Sequence, residues 1–313
     1  KDNKSDDPLV RLVKCDLYIP SNELQKTKWC DVAGLDRAKQ SLQESAILPL
    51  IRPDLFTGLR KPQNILLYGP PGTGKTMLVK AVAHESQCLL FACSPSTLTS
   101  KWHGEGEKIV RTLFKIAKSA APSLIFIDEM DSLLSSRMNG GEHEASRRFK
   151  TEFMVQMDGV SSENSTTHND TTTNTKNVLV VGCTNCPWDV DDAVLRRFPR
   201  RISVPLPDIK ARQVLFRNLL KKAGKHSVTS AQATSILKSL EGYSGSDMSA
   251  VASEASFGPI RSLQLTELQK IKEQQLRPIS KKDFDNAMKQ STKSVSQQLL
   301  KRYDEWEKQN QRL

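Results

Sequence analysis

Gly69-Pro70-Pro71-Gly72-Thr73-Gly74-Lys75-Thr76 is a complete G-x-x-x-x-G-K-T phosphate-binding loop. Its glycines let successive backbone N–H groups curl around phosphate oxygens. Lys75 reaches the β- and γ-phosphates in such a loop, and the Thr76 hydroxyl is a magnesium ligand. Further along, the apolar run Leu124-Ile125-Phe126-Ile127 ends in Asp128-Glu129. Asp128 is placed to hold magnesium through water, and Glu129 to polarise the attacking water as a general base. Acidic residues after an apolar run also start helices as caps, but beside a phosphate loop the chemical reading carries more weight. A third run, Val178-Leu179-Val180-Val181-Gly182, ends in Cys183-Thr184-Asn185. Asn185 there can reach the γ-phosphate or its attacking water, although Thr-Asn is also turn chemistry. The implied chemistry is binding and hydrolysis of a nucleoside triphosphate with magnesium.

These groups need a scaffold that brings strand ends together. Ile65-Leu66-Leu67-Tyr68 is a short apolar run read as a buried strand, and Met77 to Ala83 as the helix after the loop. From residue 27 to Pro207 strands alternate with helices, which predicts an α/β domain with a parallel sheet flanked by helices. After Pro207 helical patterns dominate, at 211–221, 231–240, 245–255, 259–269 and 281–290, with a charged amphipathic helix at 296–309. The expected division is a loosely held leader (1–26), a nucleotide-binding domain (27–207), a small all-helical lid (208–295) and a C-terminal helix (296–313), with nucleotide between sheet and lid. Residues 161–176 are almost wholly polar and read as a flexible surface insertion. Two Asn-x-Thr/Ser matches inside it are chance products of a Thr-rich tract.

A chain of 313 residues, 37% hydrophobic, suits two domains. No apolar run approaches the ~20 residues that a membrane span needs, and no signal segment opens the sequence. The six cysteines are scattered, and Cys183-Thr184-Asn185-Cys186 lacks a second pair at zinc spacing. Reduced thiols in the cytosol or nucleus are expected. His143-Glu144 lacks the second His of a zinc-protease motif.

Several further segments carry a resemblance: Asp31-Val32-Ala33-Gly34-Leu35, Asp191-Asp192-Ala193-Val194-Leu195-Arg196-Arg197-Phe198 and Gly242-Tyr243-Ser244-Gly245-Ser246-Asp247. With the phosphate loop they make the chain similar, from Trp29 to its end, to AAA ATPases of the meiotic clade. That clade holds the microtubule-severing enzymes and the vacuolar-sorting ATPase that disassembles ESCRT filaments. Phe56-Thr57-Gly58-Leu59-Arg60, Gly104-Glu105-Gly106-Glu107-Lys108 and Gly258-Pro259-Ile260-Arg261 resemble its spastin and fidgetin branch. The resemblance implies ATP and Mg2+ as cofactors, with Thr76 and Asp128 at the metal. It implies nucleotide contacts from Val32, Ala33, Gly34, Pro70, Pro71, Gly72, Thr73, Gly74, Lys75, Thr76, Met77, Asp128, Gly245 and Ser246. It further implies Glu129 as base, Asn185 as γ-phosphate sensor, and Arg196 and Arg197 as fingers completing the site of a neighbouring protomer. Cys186 stands where many relatives carry Arg, so no role of that Arg transfers.

A finger acting in trans implies a ring, expected to be an ATP-dependent homo-hexamer closed head-to-tail. Lys101-Trp102-His103 resembles the loop that grips a threaded polypeptide, and His143 lies in a second such loop; a Trp packed in the core is the bland alternative. The formal net charge of +11 suits an acidic partner such as tubulin tails. Nucleic acid is the competing explanation of a basic chain, but no recognition motif supports it. The expected activity is ATP-driven microtubule severing, a hydrolase also carrying an isomerase classification, in a cytoplasmic, cytoskeleton-associated protein with a possible nuclear pool. Two alternatives stay open: disassembly of ESCRT-type filaments by the same engine, and a nucleotide-gated scaffold without turnover.

Overall fold

Among the described residues six strands form one sheet in the order β1-β3-β4-β5-β2-β6. They are β1 (Tyr18–Ile19), β2 (Ile65–Tyr68), β3 (Leu89–Cys93), β4 (Ser123–Ile127), β5 (Val178–Thr184) and β6 (Arg200–Ser203). This is a computed structural model that describes residues 8–25, 27–56, 60–95, 106–134, 144–163, 177–264 and 275–310. Every residue of β2, β4 and β5 is buried. Parallel strands covered on both faces need such unbroken apolar runs, because neither face meets water. All pairings except β1 with β3 are parallel. The pairing leaves β2 separated from its successor β3 by β4 and β5. As a result the carboxyl ends of β2, β4 and β5, the three motif-bearing strands, lie side by side, where α/β sheets place their ligands.

The leader departs from expectation. Val13 and Leu17 are almost fully buried, Leu24 is buried, and Tyr18 and Ile19 pair antiparallel with Phe91 and Leu90. The apolar side chains of Leu12, Val13 and Leu17 outweigh the polar residues between them, so residues 8–24 are packed rather than loosely held. The first seven residues lie outside the described ones.

Helices Lys75–Ser86, Gly106–Ser119 and Glu144–Glu163 belong with the sheet. The last two pack on each other through Phe114, Phe149 and Phe153, with ring centroids 5.7 and 6.3 Å apart. The Glu144–Glu163 helix runs through residues 161–163 of the expected insertion, and residues 164–176 lie outside the described ones.

The chain groups into two compact units, Lys1–Val32, Asp36–Gly69 and Lys75–Val204 in the first, and Ala33–Leu35, Pro70–Gly74 and Pro205–Leu313 in the second. The second unit is helical: Ile209–Ala223, Ser230–Ser239, Gly245–Ser256, Lys281–Gln290 and Gln297–Asn310. Its core gathers Phe216, Ile236, Leu240, Met248, Val251 and Phe284, with Phe216 edge-on to Phe284 at 5.3 Å. Asp208, Thr229 and Ser244 cap their helices with side-chain oxygens, satisfying N–H groups that the first turn leaves without partners. The helix expected over 259–269 is shorter: it ends at Arg261. The Ser262 hydroxyl donates to the Pro259 carbonyl at 2.7 Å, offering the backbone a local alternative to continuing. Residues 265–274 lie outside the described ones. Among the described residues no helix is long and apolar enough to cross a membrane.

Candidate nucleotide site

β2 ends at Tyr68, paired with Thr184 of β5 and Ser203 of β6, and the loop begins at Gly69. Within the first unit the Lys75 ammonium is buried and donates to the Gly69 carbonyl at 2.8 Å. Burial lowers its pKa to about 8, against the raising pull of Asp128 and Asp131. A buried cation at the first turn of a helix suits an anion.

Thr76 donates its hydroxyl to Asp128 Oδ2 at 2.9 Å. That pair of oxygens is suited to a hard cation such as magnesium, which keeps waters and substrate phosphates as its other ligands. The donor set therefore fits the expected ATP and Mg2+: Lys75 and the loop amides for phosphate, Thr76 and Asp128 for the metal. Among the described residues there is no cluster of three or more His, Cys, Asp or Glu that could hold a metal ion.

Glu129 follows Asp128 with φ +50° and ψ +49°, the left-handed region that side chains rarely occupy. Its amide donates to Asp128 Oδ1 at 3.0 Å. The residue is exposed and its carboxylate has no partner among the described residues. Strain of this kind, of order 1 kcal/mol, persists where the surroundings hold it in place, and it collects at functional sites. It turns the chain sharply between β4 and the Met130–Leu133 turn, with the Glu129 side chain exposed.

Asp131 belongs to none of the motifs in the sequence. Its Oδ1 accepts the Thr184 hydroxyl at 2.7 Å and, more weakly, the Asn185 amide at 3.4 Å. Thr184 Oγ1 in turn accepts the Cys186 amide at 3.0 Å. One carboxylate thus ties the β4 end, with Asp128 and Glu129, to the β5 end, with Asn185. Its signal was present: an acid three residues after Asp128, opposite a hydroxyl that ends a fully buried strand.

In the second unit Gly72 has φ +73°, and a Cβ there would lie 2.7 Å from Ser244 Oγ and 2.9 Å from Ser246. Ser246 donates its amide to the Gly72 carbonyl at 3.2 Å, and Gly245 has that carbonyl 3.2 Å from a virtual Cβ. Gly34, φ +62°, has no room for a side chain either, since Ala211 Cβ would be 2.6 Å away. Asp247 accepts from the Ser244 amide at 2.9 Å and the Ser294 hydroxyl at 2.8 Å. Burial alone would raise this carboxyl; those hydrogen bonds win and hold it low. Ser294 precedes the Gln297–Asn310 helix, so the Gly245–Ser246 turn is bonded to the C-terminal segment.

Val32 and Ala33 are buried, and Val32 belongs to the first unit, where its carbonyl accepts Lys39. Thr73 donates to the Pro70 carbonyl at 2.9 Å, while Pro71 and Gly74 complete the loop in the second unit. Met77 is 44% exposed at the start of the Lys75–Ser86 helix. The two arginines differ. Arg197 donates Nε and Nη2 to Asp158 at 2.9 and 2.7 Å and Nη1 to the Ala193 carbonyl at 2.7 Å. Arg196 is exposed, with no side-chain partner among the described residues. Lys101, Trp102, His103 and His143 lie outside the described residues.

A phosphate loop, an Asp-Glu strand end and an Asn strand end on neighbouring parallel strands define a P-loop nucleoside triphosphatase. Comparison with known proteins narrows the class. Residues 65–206 match the ATPase family associated with various cellular activities, and residues 262–310 match the Vps4 C-terminal oligomerisation domain. Human spastin is 48% identical over 282 residues, 90% of this chain and 44% of spastin. The crystal structure of the FIGL-1 AAA domain in complex with ADP superposes with TM-score 0.84 at 40% identity, covering 97% of both chains. A katanin structure, described for self-assembly, superposes with TM-score 0.78 at 34% identity over 96% of both. The chain belongs to the AAA ATPase family, a family of ATP hydrolases, and is like its spastin and fidgetin-like members. It spans between 33% and 53% of the length of the curated spastins it matches. The isomerase classification is corrected: the family matched is one of hydrolases.

Proposed function

We propose that this chain is the ATPase module of a ring-forming enzyme that severs microtubules by drawing on acidic tubulin tails. The carrying observation is the alignment of Lys75, Thr76, Asp128, Glu129 and Asn185 at three adjacent strand ends, cross-tied by Asp131. Similarity to spastin over 90% of the chain supports the substrate class. Magnesium would neutralise charge on the triphosphate. Glu129 takes the proton of the attacking water, Asn185 orients that water against the γ-phosphate, and Lys75 draws charge from the oxygens it holds. Arg196 and Arg197 complete the site of the next protomer, so turnover requires a homo-hexamer. Trp102, flanked by Lys101 and His103, grips the tail, with His143 in a second loop. A location in the cytoplasm on the cytoskeleton, with a nuclear pool, follows from that substrate.

Stabilised microtubules incubated with the protein and ATP under a microscope test this reading. Breaks along the lattice that need ATP and disappear with Glu129→Gln are expected; intact lattices beside active phosphate release would refute severing. Trp102→Ala should abolish breaks while reducing phosphate release much less. The match to a Vps4 C-terminal domain favours one second reading, disassembly of ESCRT-type filaments. Release of subunits from such filaments, with microtubules untouched, would select it.

A further inference from the structure

The Glu144–Glu163 helix holds the finger segment at two points. Lys150 makes an ion pair with Asp191, the residue whose Oδ1 caps the Ala193 amide at 2.7 Å. Their side chains are only 13% and 28% exposed. Two helical turns further on, Asp158 receives Arg197 in a two-pronged pair at 2.9 and 2.7 Å. Between these anchors lies the Asp192–Leu195 turn and then Arg196, whose amide donates to the Asp192 carbonyl at 3.0 Å. A single helical turn has no stability of its own, so its direction is set by what grips its ends. The gripping helix is itself braced: Glu152 takes Arg111 of the Gly106–Ser119 helix at 3.0 and 2.9 Å, and Phe153 packs on Phe114.

We infer that Asp158 and Lys150 are positioning residues for the arginine that acts on the neighbouring protomer's nucleotide. The inference rests on the proposed role of Arg196 in trans. The Asp158 side chain is 57% exposed, and a pair so exposed adds little stability. Its two parallel hydrogen bonds instead fix an angle, and small errors of aim at a reacting phosphate cost far more in rate than in folding.

Mixed assemblies test it. Arg196→Ala protein has an intact Glu129 and lacks the exposed finger, Arg197 remaining on Asp158; Glu129→Gln protein has both arginines and no base. Mixing them should restore phosphate release that neither shows alone. Asp158→Ala should lose about ten-fold in specific rate with its melting temperature unchanged. It should recover toward the wild-type rate per intact site when Glu129→Gln subunits lend it their fingers. Asp158→Glu, which keeps the carboxylate, should retain part of the rate unaided. A wild-type or higher rate for Asp158→Ala alone, or no recovery on mixing, overturns the positioning role while Arg196→Ala still recovers. If Arg196→Ala also fails to recover, the reading in trans falls and this inference with it.

Discussion

Thr184, Asn185 and Cys186 turn the chain at the end of β5, and Asp131 holds that turn by the Thr184 hydroxyl and the Asn185 amide. Removing the carboxylate leaves the Thr184 hydroxyl, on a residue 1% exposed, without its acceptor and frees Asn185 to shift. Asp131→Ala should therefore lower kcat about ten-fold, with ATP affinity within about three-fold of the wild type, because the hydrogen bonds of Lys75 to Gly69 and of Thr73 to Pro70 do not involve Asp131. Kinetics of phosphate release together with binding of a fluorescent ATP analogue check the split; a purely affinity-based defect would contradict it. Cysteine reactivity offers a second residue-scale check. Burial pushes Cys88 up to about 11, with the Ser86 hydrogen bond opposing, and Cys93 up to about 12, while Cys183 is raised well above its usual range. Thiolate is the reactive form, so iodoacetamide at neutral pH should label Cys15 and Cys30, the exposed pair, and leave those three untouched until unfolding. Mass spectrometry of the labelled peptides reads the pattern directly.

The helical unit is held partly by one buried acid. Asp283 Oδ1 and Oδ2 accept Arg277 at 2.8 and 2.7 Å, and Oδ2 also accepts the Ser280 amide and hydroxyl at 2.9 and 2.8 Å. The Arg277 guanidinium, then the Ser280 bonds, hold this carboxyl well below the usual carboxylate range despite burial. A folded-state pKa below the unfolded value of about 3.9 contributes stability that is present above that pH and lost as pH falls toward the folded value. Asp283→Asn should thus cost on the order of 2 kcal/mol near neutrality, with the gap from wild type closing below about pH 4. Denaturant melts at several pH values measure it, and a gap independent of pH would contradict the role. Such detail was not legible beforehand, whereas the strands were. Ile65–Tyr68 and Val178–Thr184 announce themselves because a doubly covered strand has no polar face. The leader hid its packing because few of its residues, Leu12, Val13, Leu17 and Leu24, are buried, and exposed Lys14, Cys15 and Asp16 interrupt them. The phosphate loop, Asp128, Glu129 and Asn185 were readable from residue order. Asp158 and Lys150 were not, since their partners Arg197 and Asp191 are distant in sequence and meet only through the fold; Asp131 was marked only by its place three residues after Asp128, and its partner Thr184 is likewise met through the fold.

Across the molecule, a net charge of +11 should make capture of an acidic tail strongly dependent on ionic strength. Raising salt from 50 to 300 mM should weaken binding to a glutamate-rich peptide at least several-fold, within the screening expected of exposed charges; fluorescence anisotropy would show it, and salt-independent binding would speak for an apolar contact instead. Each protomer brings its own Lys75, Asp128 and Glu129, while Arg196 stands exposed without a partner of its own among the described residues. The most direct measurement is phosphate release per protomer as a function of protein concentration at saturating ATP. The account predicts a rate that is low when dilute, rises steeply as protomers assemble and then levels off, with Arg196→Ala flat throughout. A wild-type rate per protomer that stays constant from dilute to concentrated protein would contradict a catalytic site shared between neighbours.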